Sequence, residues 1–196
     1  MKLLFVRHGE SVDDLTDQYG GWGDFDLTPK GKVQIQETAE KIKELGISFD
    51  KVLTSPLLRA WQSGMVIANT LSIPLEIFLY AKEKNGNGLL SGMNREEARE
   101  DYPELVNALE QGYVYGAEPQ EMFIERVKFS VSVLLEKQAK ALIVVTHGGY
   151  MGALFKEILH LEYQKTHDGG FILLEGDHTE RLKINTIDGI DYKGQI

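Results

Sequence analysis

Two short, wholly apolar runs dictate most of what this chain can become: Leu3-Leu4-Phe5-Val6 near the start and Leu142-Ile143-Val144-Val145 late in the sequence. Each has the length and content of a buried strand. Each hands over at once to polar and small residues, Arg7-His8-Gly9-Glu10-Ser11 in the first case and Thr146-His147-Gly148-Gly149 in the second. A strand delivers its last side chains to the carboxyl edge of its sheet, where open α/β folds keep their ligands. Two strand-end histidines with an arginine between them predict a pocket for a phosphate, with one imidazole able to attack it.

Between these runs, apolar strands alternate with helical stretches. Lys51-Val52-Leu53-Thr54 reads as a second strand and Pro74 to Tyr80 as a third. Thr28-Pro29 has the chemistry of a helix N-cap and first position, opening a helix from Pro29 to Leu45. Ser55-Pro56 repeats that pair and predicts the start of the next helix. Further helical segments run from Asn94 to Leu109, broken at Pro103, from Pro119 to Lys137, and from Gly149 to His160. Phe171–Leu174 and Leu182–Ile187 read as a closing antiparallel pair. The alternation predicts an α/β fold, a three-layer α/β/α sandwich around a mostly parallel sheet. The expected organisation is one domain over 1–196, with a lid-like insertion around 83–118 that begins in the flexible Gly86-Asn87-Gly88 loop.

Composition narrows the function. The chain has 196 residues and a formal net charge of −9, which argues against broad nucleic-acid binding. In so acidic a chain an anion site must be made by a few cations gathered locally. Cysteine is absent, so thiolate metal sites and cysteine nucleophiles are excluded. No apolar stretch is long enough to span a bilayer and no signal peptide precedes the first strand, so a cytoplasmic location is expected.

A third block completes the pattern: Thr54-Ser55-Pro56-Leu57-Leu58-Arg59-Ala60-Trp61-Gln62-Ser63. Arg59 falls one turn into a helix that starts at a strand's carboxyl end, where it can add a charge-assisted contact to an oxyanion. Taken alone, Arg59 reads as a surface arginine, and its weight comes from the company of Arg7, His8 and His147. No metal site is expected, because no carboxylate–histidine cluster surrounds either histidine and Arg7 would repel a dication.

In order along the chain, Val6 to Ser11, Leu27 to Gly31, Thr54 to Ser63 and Val144 to Gly149 resemble the histidine phosphatase superfamily, with its phosphoglycerate-mutase-like fold. The resemblance implies that His8 is the nucleophile and becomes transiently phosphorylated, its other nitrogen held by a backbone carbonyl. It implies that Arg7, Arg59 and His147 hold the phosphoryl oxygens, with Ser11, Gly20, Gly21 and Gly148 close by. The catalytic set is completed by Glu83, the general acid for the leaving oxygen, at the head of Glu83-Lys84-Asn85-Gly86. Glu76 lies too far back along its strand to compete. No metal or other cofactor is implied.

Two departures from the family pattern matter. Asp14 stands where relatives usually carry asparagine, and an ionised Asp cannot donate to phosphate. It either turns away, orients a basic neighbour, or weakens phosphate binding. Tyr19-Gly20-Gly21-Trp22 replaces the mutases' Phe-Thr-Gly-Trp, and its glycines would let backbone N–H groups approach a substrate. The mutases also carry an arginine pair that grips glycerate, whereas Asp101 to Pro119 here holds neither Arg nor Lys. The favoured expectation is therefore a phosphatase acting on a small phosphomonoester with an uncharged or cationic leaving group. A cofactor-dependent phosphoglycerate mutase is the alternative, and a catalytically inactive phosphate-binding protein the third reading. No role is expected for His160, His167 or His178, and Asp168-Gly169-Gly170 reads equally as a pocket border or a plain turn.

Overall fold

The first apolar run forms β1 (Lys2–Arg7) and its late counterpart forms β4 (Ala141–Thr146), which lie side by side and parallel with Arg7 opposite Thr146. In this computed structural model, which describes residues 1–193, the two strands form the middle of a six-stranded sheet of order β3-β2-β4-β1-β5-β6. On one side β2 (Lys51–Thr54) and β3 (Leu75–Ile77) continue the parallel part. On the other, β5 (Glu162–Glu175) and β6 (Lys183–Lys193) run antiparallel.

Because successive side chains of a strand point to opposite faces, each apolar run feeds two cores. Leu4, Val6, Ile143 and Val145 pack against Ile35, Ala39 and Ile42 of α1 (Pro29–Glu44) and Ala60 and Ile67 of α2 (Leu58–Leu71). Leu3, Phe5, Leu142 and Val144 face the other way, against α5 (Gln120–Leu135) and α6 (Gly148–Ala153), where Val127, Val131, Tyr150 and Met151 meet them. This is the expected three-layer α/β/α arrangement. Truncating one of these fully buried side chains to Ala costs about 2–5 kcal/mol, so the two central strands give the site a rigid base.

Thr28 caps α1 as expected, its Oγ1 accepting from Gly31 N at 2.9 Å, with Pro29 at the first position. The second helix is a correction. It begins at Leu58 with Leu57 as N-cap, because Ser55 Oγ turns back on Leu57 N and pairs with His147 instead. The third strand is also shorter than Pro74 to Tyr80, since Leu79–Ala81 tightens into a 3₁₀ turn. The last helical segment splits into α6 and a π-helical stretch, Leu154–Ile158, in which Leu154 and Phe155 are both fully buried. The antiparallel pair is much longer than its apolar centre, because the outer halves of β5 and β6 alternate exposed and half-buried residues and carry no apolar run.

Residues 83–118 contain α3 (Arg95–Asp101) and α4 (Pro103–Glu110), broken at Pro103 as the sequence suggested. A small third core of Tyr19, Leu90, Ala98 and Val106 fastens this segment to the loop after β1. Among the described residues, no helix is long and apolar enough to cross a membrane.

Candidate active site

The parallel order places the carboxyl ends of β1, β4 and β2 next to one another. His8 N donates to Thr146 O at 3.1 Å and Ser55 N to Val145 O at 3.0 Å, so the residues just past the three strands share one edge. His8 and His147 meet there with ring centroids 5.0 Å apart, edge to face.

His8 has a defined proton. Its Nδ1 lies 2.7 Å from Gly9 O, and a carbonyl can only accept, so Nδ1 carries the hydrogen. Nε2 then holds a lone pair, which accepts from Arg59 Nε at 3.2 Å. Burial first, then Arg59 and Arg7, hold the His8 pKa well below the ordinary 6.5. The imidazole stays neutral, with its unprotonated Nε2 turned toward Arg59.

Arg59, 3% exposed, is aimed by carbonyls: Nη1 donates to Gly23 O at 2.8 Å and Nη2 to Gly21 O at 3.0 Å. Burial draws its pKa down, opposed by the carboxylates of Asp13, Glu83, Asp14 and Asp24. Gly21 adopts φ +63°, which a glycine takes without strain and which turns its carbonyl toward the guanidinium. Through its Gly21 carbonyl, the Gly20–Gly21 turn thus helps to aim Arg59.

Arg7 is fixed at its far end, with Nη1 donating to Thr166 O and Nη2 paired with Asp168 at 3.1 Å. Its Nε is buried without a partner and lies beside Gly148 at the start of α6. His147 is fully buried, with Nε2 at 2.7 Å from Ser55 Oγ and Nδ1 unpartnered. Burial, then Arg59, His8 and Arg7, keep it uncharged below the ordinary 6.5. Arg7 Nε and His147 Nδ1 are the two buried side-chain polar atoms without a hydrogen-bond partner among the described residues, and both belong to this site. An unpartnered buried polar atom costs about 1–3 kcal/mol, so two of them in one place set this edge apart from the rest of the core.

Glu83 reaches the same edge. Its Oε2 accepts from Gly149 N at 2.9 Å, at the N-terminus of α6, and its Oε1 from Lys84 N at 2.7 Å. Three residues that sequence reasoning passed over hold it there. Trp22 Nε1 donates to Glu83 O at 2.8 Å, and Lys82 Nζ sits 3.2 Å from the Trp22 ring centroid. Arg126 of α5 donates to Tyr80 O, Lys82 O and Glu83 O at 2.8, 2.9 and 3.1 Å while forming a two-pronged pair with Glu118. Glu76 pairs with Lys51 on the sheet surface, away from this edge.

Ser11 is a further correction. It is fully buried, its hydroxyl donates to Asp13 at 2.6 Å and its N–H to Asp14 at 3.0 Å, so neither donor is offered to a ligand. Asp14 follows the first of its three alternatives: it turns away and caps the short 3₁₀ turn Val12–Asp14. Asp168, read as a border or a plain turn, holds Arg7, and Gly169 N donates to His8 O at 3.2 Å. His167 pairs with Asp191 on the exposed hairpin, apart from the site. Among the described residues, no three His, Cys, Asp or Glu side chains converge as a metal-ligand set.

A carboxylate, a neutral histidine, two arginines and a second histidine thus lie together on the carboxyl edge of an α/β sheet. The family model of the histidine phosphatase superfamily (branch 1) matches residues 3–176, and the chain belongs to that superfamily. The chain is 30% identical to the 2,3-bisphosphoglycerate-dependent phosphoglycerate mutase of Streptococcus gordonii, over 82% of this chain and 85% of that protein. It is also 30% identical to the enzyme of the same name from Enterococcus faecalis, over 80% and 84%. In shape it is similar to the alpha-ribazole phosphatase of Shigella flexneri, with a TM-score of 0.77, 21% identity and coverage of 95% and 96%. A mycobacterial glucosyl-3-phosphoglycerate phosphatase in complex with VO3 matches with a TM-score of 0.73, 19% identity and coverage of 94% and 96%.

Proposed function

We propose that the protein is a metal-independent phosphomonoesterase that works through a phosphohistidine on His8. The carrying observation is the His8 ring: Nδ1–H is tied to Gly9 O, which leaves a bare Nε2 against the Arg59 guanidinium and beside the His147 ring. In the first step Nε2 attacks phosphorus, the bond from phosphorus to the ester oxygen breaks, and Glu83 gives that oxygen its proton. In the second, water attacks the phosphorus, Glu83 takes up the water proton, and the P–N bond electrons return to Nε2. Splitting one displacement into two suits a group whose transfer depends on positioning and charge stabilisation. Arg7, Arg59 and His147 supply that stabilisation, so no metal is required. Each Glu83 oxygen, accepting one backbone N–H, keeps a lone pair for the transferred proton.

Hydrolysis is favoured over mutase chemistry by the leaving-group side. The segment 101–119 offers no Lys or Arg to a carboxylate. It presents instead the exposed edge-to-face pair Tyr113–Tyr115. Lys82 has its charge stacked on Trp22. The substrate class that fits is a small phosphomonoester with an uncharged or cationic alcohol. The mutase reading is supported by the name carried by relatives at 30% identity and by the mutase-like stretch Gly92-Met93-Asn94-Arg95. An assay of wild type and His8→Ala on an aryl phosphate with chelator present, run beside a 3-phosphoglycerate mutase assay, separates the two. Chelator-resistant hydrolysis lost in His8→Ala is the expected result; mutase turnover without hydrolysis, or tight phosphoglycerate binding, would overturn it.

A further inference from the structure

The second histidine has a tautomer problem that the first does not. His8 Nδ1 faces a carbonyl and must carry the proton. His147 Nε2 faces a hydroxyl, Ser55 Oγ at 2.7 Å, which can accept or donate, and His147 Nδ1 has no partner at all. The answer lies in what else Ser55 does. Its Oγ accepts from Leu57 N at 3.3 Å, and both Ser55 and His147 are fully buried. A buried hydroxyl proton needs an acceptor. In this pair the acceptor is His147 Nε2, which leaves the ring proton on Nδ1. The opposite tautomer would leave the Ser55 proton unplaced and set a bare Nδ1 lone pair against the incoming phosphoryl oxygens. Both are costly in a dry site.

We propose that Ser55 is a positioning residue that sets the tautomer of His147, so that Nδ1–H is held ready as a donor to the transferred phosphoryl group. This rests on the phosphatase reading for its purpose, but not for its proton assignment. The two histidines then share one tautomer and do opposite work. Held by a carbonyl, His8 presents a lone pair; held by a hydroxyl, His147 presents a proton. The sheet enforces the pairing, since Ser55 N donates to Val145 O at 3.0 Å and brings the end of β2 against the end of β4. It also explains why Ser55 does not cap α2.

The test is the long-range ¹H–¹⁵N spectrum of histidine-labelled protein, recorded without ligand and again with inorganic phosphate or orthovanadate. The expected His147 signature is a protonated Nδ1 and an unprotonated Nε2 in both states. A His147 protonated on Nε2 in the wild type would overturn the proposal, whatever any variant does. Ser55→Ala should move the His147 signals toward the other tautomer and lower kcat/KM by about ten- to a hundredfold, short of the 10²–10³ for deleting an oxyanion donor. Ser55→Thr, which keeps the hydroxyl, should restore both. Wild-type signals unchanged in a folded Ser55→Ala would also overturn it. Because the tautomer is read without turnover, a protein that hydrolyses nothing contradicts the phosphatase reading alone.

Discussion

Arg59 Nε stands 3.2 Å from His8 Nε2 and directs its N–H at the unprotonated nitrogen of that ring. A guanidinium is always protonated, so this contact is possible only with Nε2 bare. Arg59 thus reports the state of the nucleophile and keeps it there. The bonds from Nη1 and Nη2 to Gly23 O and Gly21 O hold the guanidinium in place.

The pH dependence of stability follows from the same electrostatics. Both histidines have folded-state pKa values below the ordinary 6.5, so between those values and 6.5 the unfolded chain binds more protons than the folded one. Stability should be level above about pH 6.5 and fall as the pH drops below it. The slope is at most about 1.4 kcal/mol per pH unit for each histidine, roughly 2.7 for both. Urea midpoints at several pH values check this, and a His8→Asn, His147→Gln double variant should flatten the curve. Undiminished stability in mildly acidic buffer would contradict the neutral assignment.

Gly149 separates positioning from stability. A Cβ there would lie 2.3 Å from Glu83 Oε1. Gly149→Ala should push the carboxylate aside and lower kcat by about tenfold or more, within the 10²–10⁴ a general acid supplies. The helix preference for Ala over Gly, roughly 0.5–1 kcal/mol, offsets in part the lost bond from Gly149 N to Glu83, so the melting temperature should change little. Unchanged kcat would show that Glu83 does not act from this position.

Arg126 should behave as the anchor of the acid. Arg126→Gln removes the donors to three carbonyls around Glu83 and leaves Glu118 half-buried without its pair. The expected result is a kcat about ten- to a hundredfold lower with KM little changed, since the phosphate cradle is untouched. Stability should fall by roughly 1.5–3 kcal/mol, the scale of a charge-assisted contact. A KM effect without a kcat effect would place Arg126 on the substrate instead.

Asp14→Asn removes a negative charge near Arg59 while keeping an acceptor for Ser11 N. Inorganic phosphate should inhibit this variant more strongly, by about fivefold, equivalent to roughly 1 kcal/mol. Inhibition constants measured at low salt, where exposed charges are least screened, give the clearest comparison. Weaker inhibition would mean that Asp14 supports the site by a route other than its charge.

Much of this was legible in the residues, for identifiable reasons. The apolar runs of β1 and β4 are short, pure and followed by polar residues, so the strands and the two histidines at their ends could be placed together. Thr28-Pro29 carries its own cap chemistry, and the gathering of Arg7 and His147 follows from parallel strand ends, whereas Arg59 was placed with them by the family resemblance. What stayed hidden depends on partners distant in the chain. Ser55-Pro56 looks like Thr28-Pro29 locally, but its hydroxyl is taken by His147, 92 positions away. Arg126 is one charged residue on a helix until the fold sets it against carbonyls 43 to 46 positions earlier. Ser11 could be read as a phosphate ligand because nothing in sequence reveals that Asp13 and Asp14 turn back onto it. The outer halves of β5 and β6 lack an apolar run, so only their buried middle was visible.

The most direct measurement is to mix the protein with a phosphomonoester substrate, quench in base, where phosphohistidine survives, and map the phosphoryl group by mass spectrometry and ³¹P NMR. The account predicts one labelled residue, His8, modified on Nε2, with no label in His8→Ala and faster accumulation than decay in Glu83→Gln when the leaving group needs no acid. A phosphoryl group on any other residue, or efficient hydrolysis by His8→Ala, would contradict it.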